Sequence, residues 1–210
     1  TVVYSDDKGE NWTTCELDKI YTADYYYVKF FDSDNGVIVC GYAKSNDTNE
    51  SSRIYSTSNG GESWDIVGSG PATNIIKGVV YVSSDVGFFC YDYVEGMDSN
   101  LYKTDDGGKT FAKVMLEEQE LDSSAANPQG QETETKTDSG KNGADSSEQL
   151  RWGDVYKEAL TPVVDSTGII TIYLTQGKNA VYNDGKTAAK YQSSDKGSTW
   201  KYIGQVEMKD

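Results

Sequence analysis

The 210-residue sequence contains no histidine. That removes every imidazole base, every histidine metal ligand and every histidine-dependent triad from its chemistry. Arginine is almost as scarce, with Arg53 and Arg151 the two examples. The three cysteines, Cys15, Cys40 and Cys90, are an odd number without metal-type spacing. Cys40 and Cys90 lie in the apolar runs VIVCGY and GFFCYDY and read as small core residues. A disulfide between them is open but not indicated. No apolar run approaches the ~20 residues of a membrane-spanning helix. Positive charge is in deficit, 19 basic against 34 acidic residues, and the net charge of −15 repels nucleic acid and anionic lipid. Neither a cofactor nor a metal is implied.

Tyrosine and glycine are abundant, at 16 and 21 residues, a balance that favours short strands and tight turns over helices. Four segments repeat one pattern: YSDDKGENW (Tyr4–Trp12), YSTSNGGESW (Tyr55–Trp64), YKTDDGGKTF (Tyr102–Phe111) and YQSSDKGSTW (Tyr191–Trp200). Seven positions before the final aromatic stand Ser5, Thr57, Thr104 and Ser193. Five before it stand Asp7, Asn59, Asp106 and Asp195, and three before it Gly9, Gly61, Gly108 and Gly197. The aromatics are Trp12, Trp64, Phe111 and Trp200. An Asp or Asn side chain caps nearby N–H groups, a hydroxyl adds a further bond, and glycine supplies positive φ. The pattern therefore predicts a hairpin. A calcium loop fits poorly, because the glycine is misplaced and the distal acidic ligand is missing.

These segments resemble Asp boxes, the repeats of sialidases, sortilin-type propellers and photosystem II assembly-factor-like propellers. The resemblance implies an all-β fold: a β-propeller of four-stranded antiparallel blades, with each box joining a blade's third and fourth strands. It implies also that the boxes are structural and lie away from the ligand face. A second repeat places an Asp-to-Gly turn after each first strand, at Asp32/Gly36, Asp85/Gly87 and Asp165/Gly168. The resulting organisation is a single propeller region, 1–210. It comprises the second half of a blade at 1–20, blades at 25–67, 75–116 and 156–206, and an acidic insert at 117–149. About three and a half blades are thus expected, part of a ring of six or more that continues N-terminally, with a compact four-bladed ring as the alternative. The insert has no aromatic residue and only Lys136 and Lys141 against its acids, so disorder is expected. Its location, between the last strand of one blade and the first of the next, suits a flexible lid, a tether or a neutral insertion.

A sialidase clamps the carboxylate of its substrate with three arginines, which two cannot supply. A two-carboxylate glycosidase is harder to exclude, but Asp32, Asp85 and Asp165 recur in every blade and so point to turns. Trp152, Asp154, Tyr156 and Glu158, in RWGDVYKEAL, form a non-repeating cluster of aromatics and acids. They make the candidate ligand patch, with no catalytic residue assigned. A strand resuming after the insert is the plainer reading of the same residues. The favoured function is a non-catalytic binding propeller, secreted or on a bacterial cell surface, whose partner is a glycan or a protein. The runner-up is a glycoside hydrolase with catalytic residues partly outside these 210. The sequons at Asn11, Asn46 and Asn49 are expected by chance in so Asn/Ser/Thr-rich a chain.

Overall fold

In the computed structural model, the described residues are 1–17, 23–42, 52–72, 74–121, 151–177 and 182–208. The expected insert, from residue 122 on, and the sequons at Asn46 and Asn49 lie outside them.

The chain is all-β and forms a succession of antiparallel meanders. Strands β1 (Val2–Tyr4) and β2 (Thr13–Cys15) make a two-stranded hairpin. Blade one follows as β3 (Tyr25–Phe30), β4 (Gly36–Gly41), β5 (Ser52–Thr57) and β6 (Asp65–Ser69), paired in chain order. Blade two repeats it with β7 (Ile76–Tyr81), β8 (Gly87–Tyr91), β9 (Leu101–Thr104) and β10 (Ala112–Lys113). Blade three pairs β13 (Ile170–Thr175), β14 (Thr187–Ser193) and β15 (Lys201–Glu207) with a divided first strand. That strand, expected to be continuous through LTPVV, is instead β11 (Glu158–Ala159) and β12 (Val163–Val164). Pro162 has no N–H to give the ladder, and the chain steps out between the two pieces.

Each box closes as its residue types require. The hydroxyls of Ser5, Thr57, Thr104 and Ser193 donate to the Asp or Asn two residues on, at 2.7–2.9 Å. The same hydroxyls accept the N–H of Gly9, Gly61, Gly108 and Gly197 at 2.7–3.0 Å. The Asp or Asn Oδ1 then accepts the N–H of Asn11, Ser63, Thr110 or Thr199 at 2.8–3.0 Å. Its second side-chain atom holds the side chain of that same residue. The glycines sit at φ between 76° and 106°, where a Cβ is disfavoured.

The first-strand turns follow the same logic twice. Asp32 Oδ1 accepts the N–H groups of Asp34 and Asn35, and Asp165 Oδ1 those of Thr167 and Ile169. The middle turn, at the expected Asp85/Gly87, is capped differently: Ser83 Oγ accepts Val86 N–H (3.3 Å), while Asp85 contributes its carbonyl to Gly107 N–H (2.8 Å). The equivalent bond in blade one joins Gly60 N–H to the Asp34 carbonyl (2.9 Å). Boxes and first-strand turns therefore occupy one end of every blade.

The core lies between blades. Val37, Val39 and Ile54 of blade one pack on Ile76, Val79, Tyr81 and Phe89 of blade two. Phe88, Cys90 and Leu101 of blade two pack on Ala159, Ile170 and Ile172 of blade three. The β1–β2 hairpin contributes Val2 and Cys15 to a cluster with Ile38, Cys40 and Tyr55. All three cysteines are free thiols, and burial pushes Cys40 up to about 11 and Cys90 up to about 12. The open question of a Cys40–Cys90 disulfide is thereby answered in the negative.

Two side-chain devices lock the blades. The hydroxyls of Tyr25 and Tyr27 accept the N–H groups of Val79 and Tyr81, each at 3.0 Å, and Lys29 Nζ donates to the Tyr81 carbonyl (2.6 Å). Alternating residues of β3 thus satisfy the exposed edge of β7, which would otherwise be unpaired. At the next junction, buried Asn100 donates to the Ala159 carbonyl (2.9 Å) and accepts its N–H (2.8 Å).

Candidate functional site

The end opposite the boxes carries the loops between second and third strands and the blade-to-blade connections. There a cleft of about 270 Å³ opens between blades two and three. One wall is the loop Asp92–Asn100, turned by a Met97 N–H to Val94 carbonyl bond (3.0 Å) and by Gly96 at φ 90°. The other wall is the connection into blade three, where a single turn of helix, α1 (Trp152–Val155), precedes β11. Tyr93, Met97, Met115, Glu118 and Lys157 line the opening.

The candidate patch divides between floor and rim. Trp152 and Tyr156 are buried, with ring centroids 4.6 Å apart, and both border the cleft. They belong to an aromatic wedge with Tyr182, Tyr191 and Tyr202. The Tyr156 hydroxyl lies 2.9 Å from Thr187 Oγ1, and burial raises its pKa. Tyr191 donates to the Glu117 carbonyl (2.7 Å); burial pushes its phenol up to about 12. Both phenols therefore remain protonated at neutral pH. Asp154 faces outward and pairs with Arg151 at 3.3 Å. Glu158 acts electrostatically on Lys77 of blade two, whose ammonium is raised first by its bond to Asp92 (2.8 Å). Neither acid is among the residues that line the cleft.

Sequence reasoning missed Tyr93, Met97 and Glu118, because a cleft between blades is made by residues from separate repeats. Glu118 comes from the start of the acidic insert, and its carboxylate lies against Gly153. The rim cations are held by acids: Lys157 by Glu95 (2.8 Å) and Lys113 by Asp98 (2.7 Å). Arg53 is buried in β5 and Arg151 is paired, so neither arginine is placed as a carboxylate clamp. At the box end a groove of about 230 Å³ lies between blades one and two. Of its polar lining, Thr57 and Asp106 are engaged in box hydrogen bonds. Among the described residues, no group of three or more Cys, Asp or Glu side chains converges as a metal site, and no helix is long and apolar enough to cross a membrane.

Three blades of four-stranded antiparallel type, with a further hairpin stacked before them, define the chain as part of a β-propeller. No protein-family model matches the sequence, and no curated protein does. Among solved structures it is similar to a GH74 enzyme of Niastella koreensis, at 17% identity and a TM-score of 0.47. That match covers 96% of this chain and 25% of the enzyme, so the chain spans a quarter of the enzyme's length.

Proposed function

We propose that this is an Asp-box propeller acting outside a bacterial cell as a non-catalytic binding module, with a glycan held in the cleft between blades two and three. The observation that carries this reading is the cleft itself. It lies at the end away from the boxes, has an aromatic floor in Trp152 and Tyr156, and is edged by Tyr93, Asp98, Glu118 and Lys157. The half-buried ring of Tyr93 beside these polar groups suits a sugar, which offers apolar C–H faces and hydroxyls together. The four boxes, each with its hydroxyl–carboxyl or hydroxyl–amide pair closing on glycine, support the Asp-box assignment. Binding is favoured over hydrolysis because neither Asp154 nor Glu158 is among the residues lining the cleft, and Asp154 pairs with Arg151.

A glycan array probed with the intact chain tests the reading. Binding that falls at least tenfold in Tyr93→Ala and in Glu118→Gln, with an unchanged melting temperature, is the expected result. Turnover of any chromogenic glycoside that disappears in Asp154→Asn or Glu158→Gln would establish a hydrolase instead. Retention of a protein ligand with no glycan signal would move recognition to the loops.

A further inference from the structure

The charges around the cleft sort into those that are held and one that is not. The loop Asp92–Asn100 carries three acids, and each grips a lysine from a different element. Asp92 holds Lys77 of β7 (2.8 Å), Glu95 holds Lys157 ahead of β11 (2.8 Å), and Asp98 holds Lys113 of β10 (2.7 Å). Of the residues that line the cleft, Asp98, Glu118 and Lys157 are charged. Glu118 alone of these forms no ion pair among the described residues. Glu117 and Glu120 stand close to it in sequence and add negative charge to that wall. The three lysines are thus neutralised, while the Glu118 carboxylate is not.

The carboxylate has a defined seat. Glu118 Oε1 lies 2.6 Å from where a Cβ on Gly153 would stand, so any side chain at 153 would displace it. Gly153 belongs to α1, and a helical position favours alanine over glycine. The backbone therefore gives no reason for glycine here; the room left for Glu118 does. Across the opening, on the loop that forms the other wall, stands the half-buried ring of Tyr93. A carboxylate beside an aromatic face suits an ammonium carried on an apolar ring. An anionic sugar would need a free cation instead, and Lys113 and Lys157 are already held. The net charge of −15 likewise draws cations in and turns anions away.

Given that a glycan occupies the cleft, we infer that the unit bound there is an amino sugar with a free, protonated amine, and that Glu118 selects it. At about 270 Å³ the cleft falls below the ~300–1,000 Å³ of pockets for drug-sized ligands and admits a single sugar unit. The C–H face of the ring lies on Tyr93, and the ammonium donates to the Glu118 carboxylate. N-acetylation removes that charge and leaves the carboxylate without its partner. A lysine side chain brings the same cation but no ring to stack, so a lysine peptide is the control.

Calorimetric titration of the intact chain with a glucosamine trisaccharide tests this, at a mildly acidic pH that protonates the amines. The trisaccharide should bind at least tenfold more tightly than its N-acetylated form, and added salt should narrow the difference. Glu118→Gln should bring the two to equal affinity. Gly153→Ala, which keeps the charge but moves the carboxylate, should shrink the preference at least threefold. Equal or tighter binding of the N-acetylated form would overturn the inference and leave the glycan reading standing, as would a preference that survives Glu118→Gln. No binding of amino, N-acetylated or neutral sugars would overturn both. Trilysine bound as tightly as the glucosamine trisaccharide would assign the cleft to a cationic peptide and overturn the amino sugar equally.

Discussion

Asn100 joins two blades with one amide group. Its donor and acceptor both end on the backbone of Ala159, and a further bond reaches the Tyr91 carbonyl at 2.8 Å. Removing the side chain strands the buried Ala159 N–H, at a cost of about 1–3 kcal/mol, and leaves the Ala159 carbonyl with the weaker Cys90 thiol as its donor (3.2 Å). Asn100→Ala should therefore lower the urea midpoint of unfolding substantially. Asn100→Asp should do the same at neutral pH, because a carboxylate accepts from Ala159 N–H but offers its carbonyl no donor. An equal loss for both variants, with Asn100→Ser intermediate, identifies the amide as the active feature. Nothing in the sequence marked this residue: SNLYKT reads as the approach to a strand, and its partner lies beyond the insert.

At the scale of the element, the box hairpin was legible because its bonds are local. All its partners lie within about one turn in sequence, so spacing alone specifies them. The middle first-strand turn was legible as a turn but its capping residue was not: in VSSDVG, either Ser83 or Asp85 can cap, and Ser83 does. Between the two pieces of blade three's first strand, Thr161 packs into the space that a Cβ on Gly78 of blade two would need. The boxes also make a prediction about pH. Asp7 is held at about 2, chiefly by the backbone N–H of Asn11, and Asp106 and Asp195 are lowered further by Thr110 and Thr199. Carboxylates depressed in the folded state contribute stability that is present above the unfolded value of ~3.9 and lost as pH falls through the folded values. Melting temperature should thus decline from about pH 4 downward. Asp195→Asn should flatten that decline while leaving the hairpin intact, since Asn59 already closes box two with an amide. Conversely, Asn59→Asp should be near neutral at pH 7 and steepen the acid slope.

Across the whole molecule, stability resides in the junctions between blades rather than in any single sheet, because the largest buried side chains meet there. The fold class was readable from repeats, and the cleft was not, because its walls come from Asp92–Asn100 and from residues flanking the insert. Trp152 and Tyr156 stood out in the sequence as part of a non-repeating cluster, and their burial places them beneath the cleft rather than across its mouth. The two junctions are built differently, and that difference can be measured. Tyr25→Phe with Tyr27→Phe removes both hydroxyls that satisfy the β7 edge, while preserving the rings that pack against it. The N–H groups of Val79 and Tyr81 then lose their partners at a cost of about 1–3 kcal/mol each. In an array whose stability is a sum of blade and nearest-neighbour terms, this loss should fall on one junction alone. Hydrogen exchange should accelerate in β3 and β7 while Ala159 keeps its protection. Asn100→Ala should produce the reverse pattern. Combined, the variants should weaken stability additively, since the sites share no partner; a coupling well above about 0.5 kcal/mol would mean that the blades act as one cooperative unit.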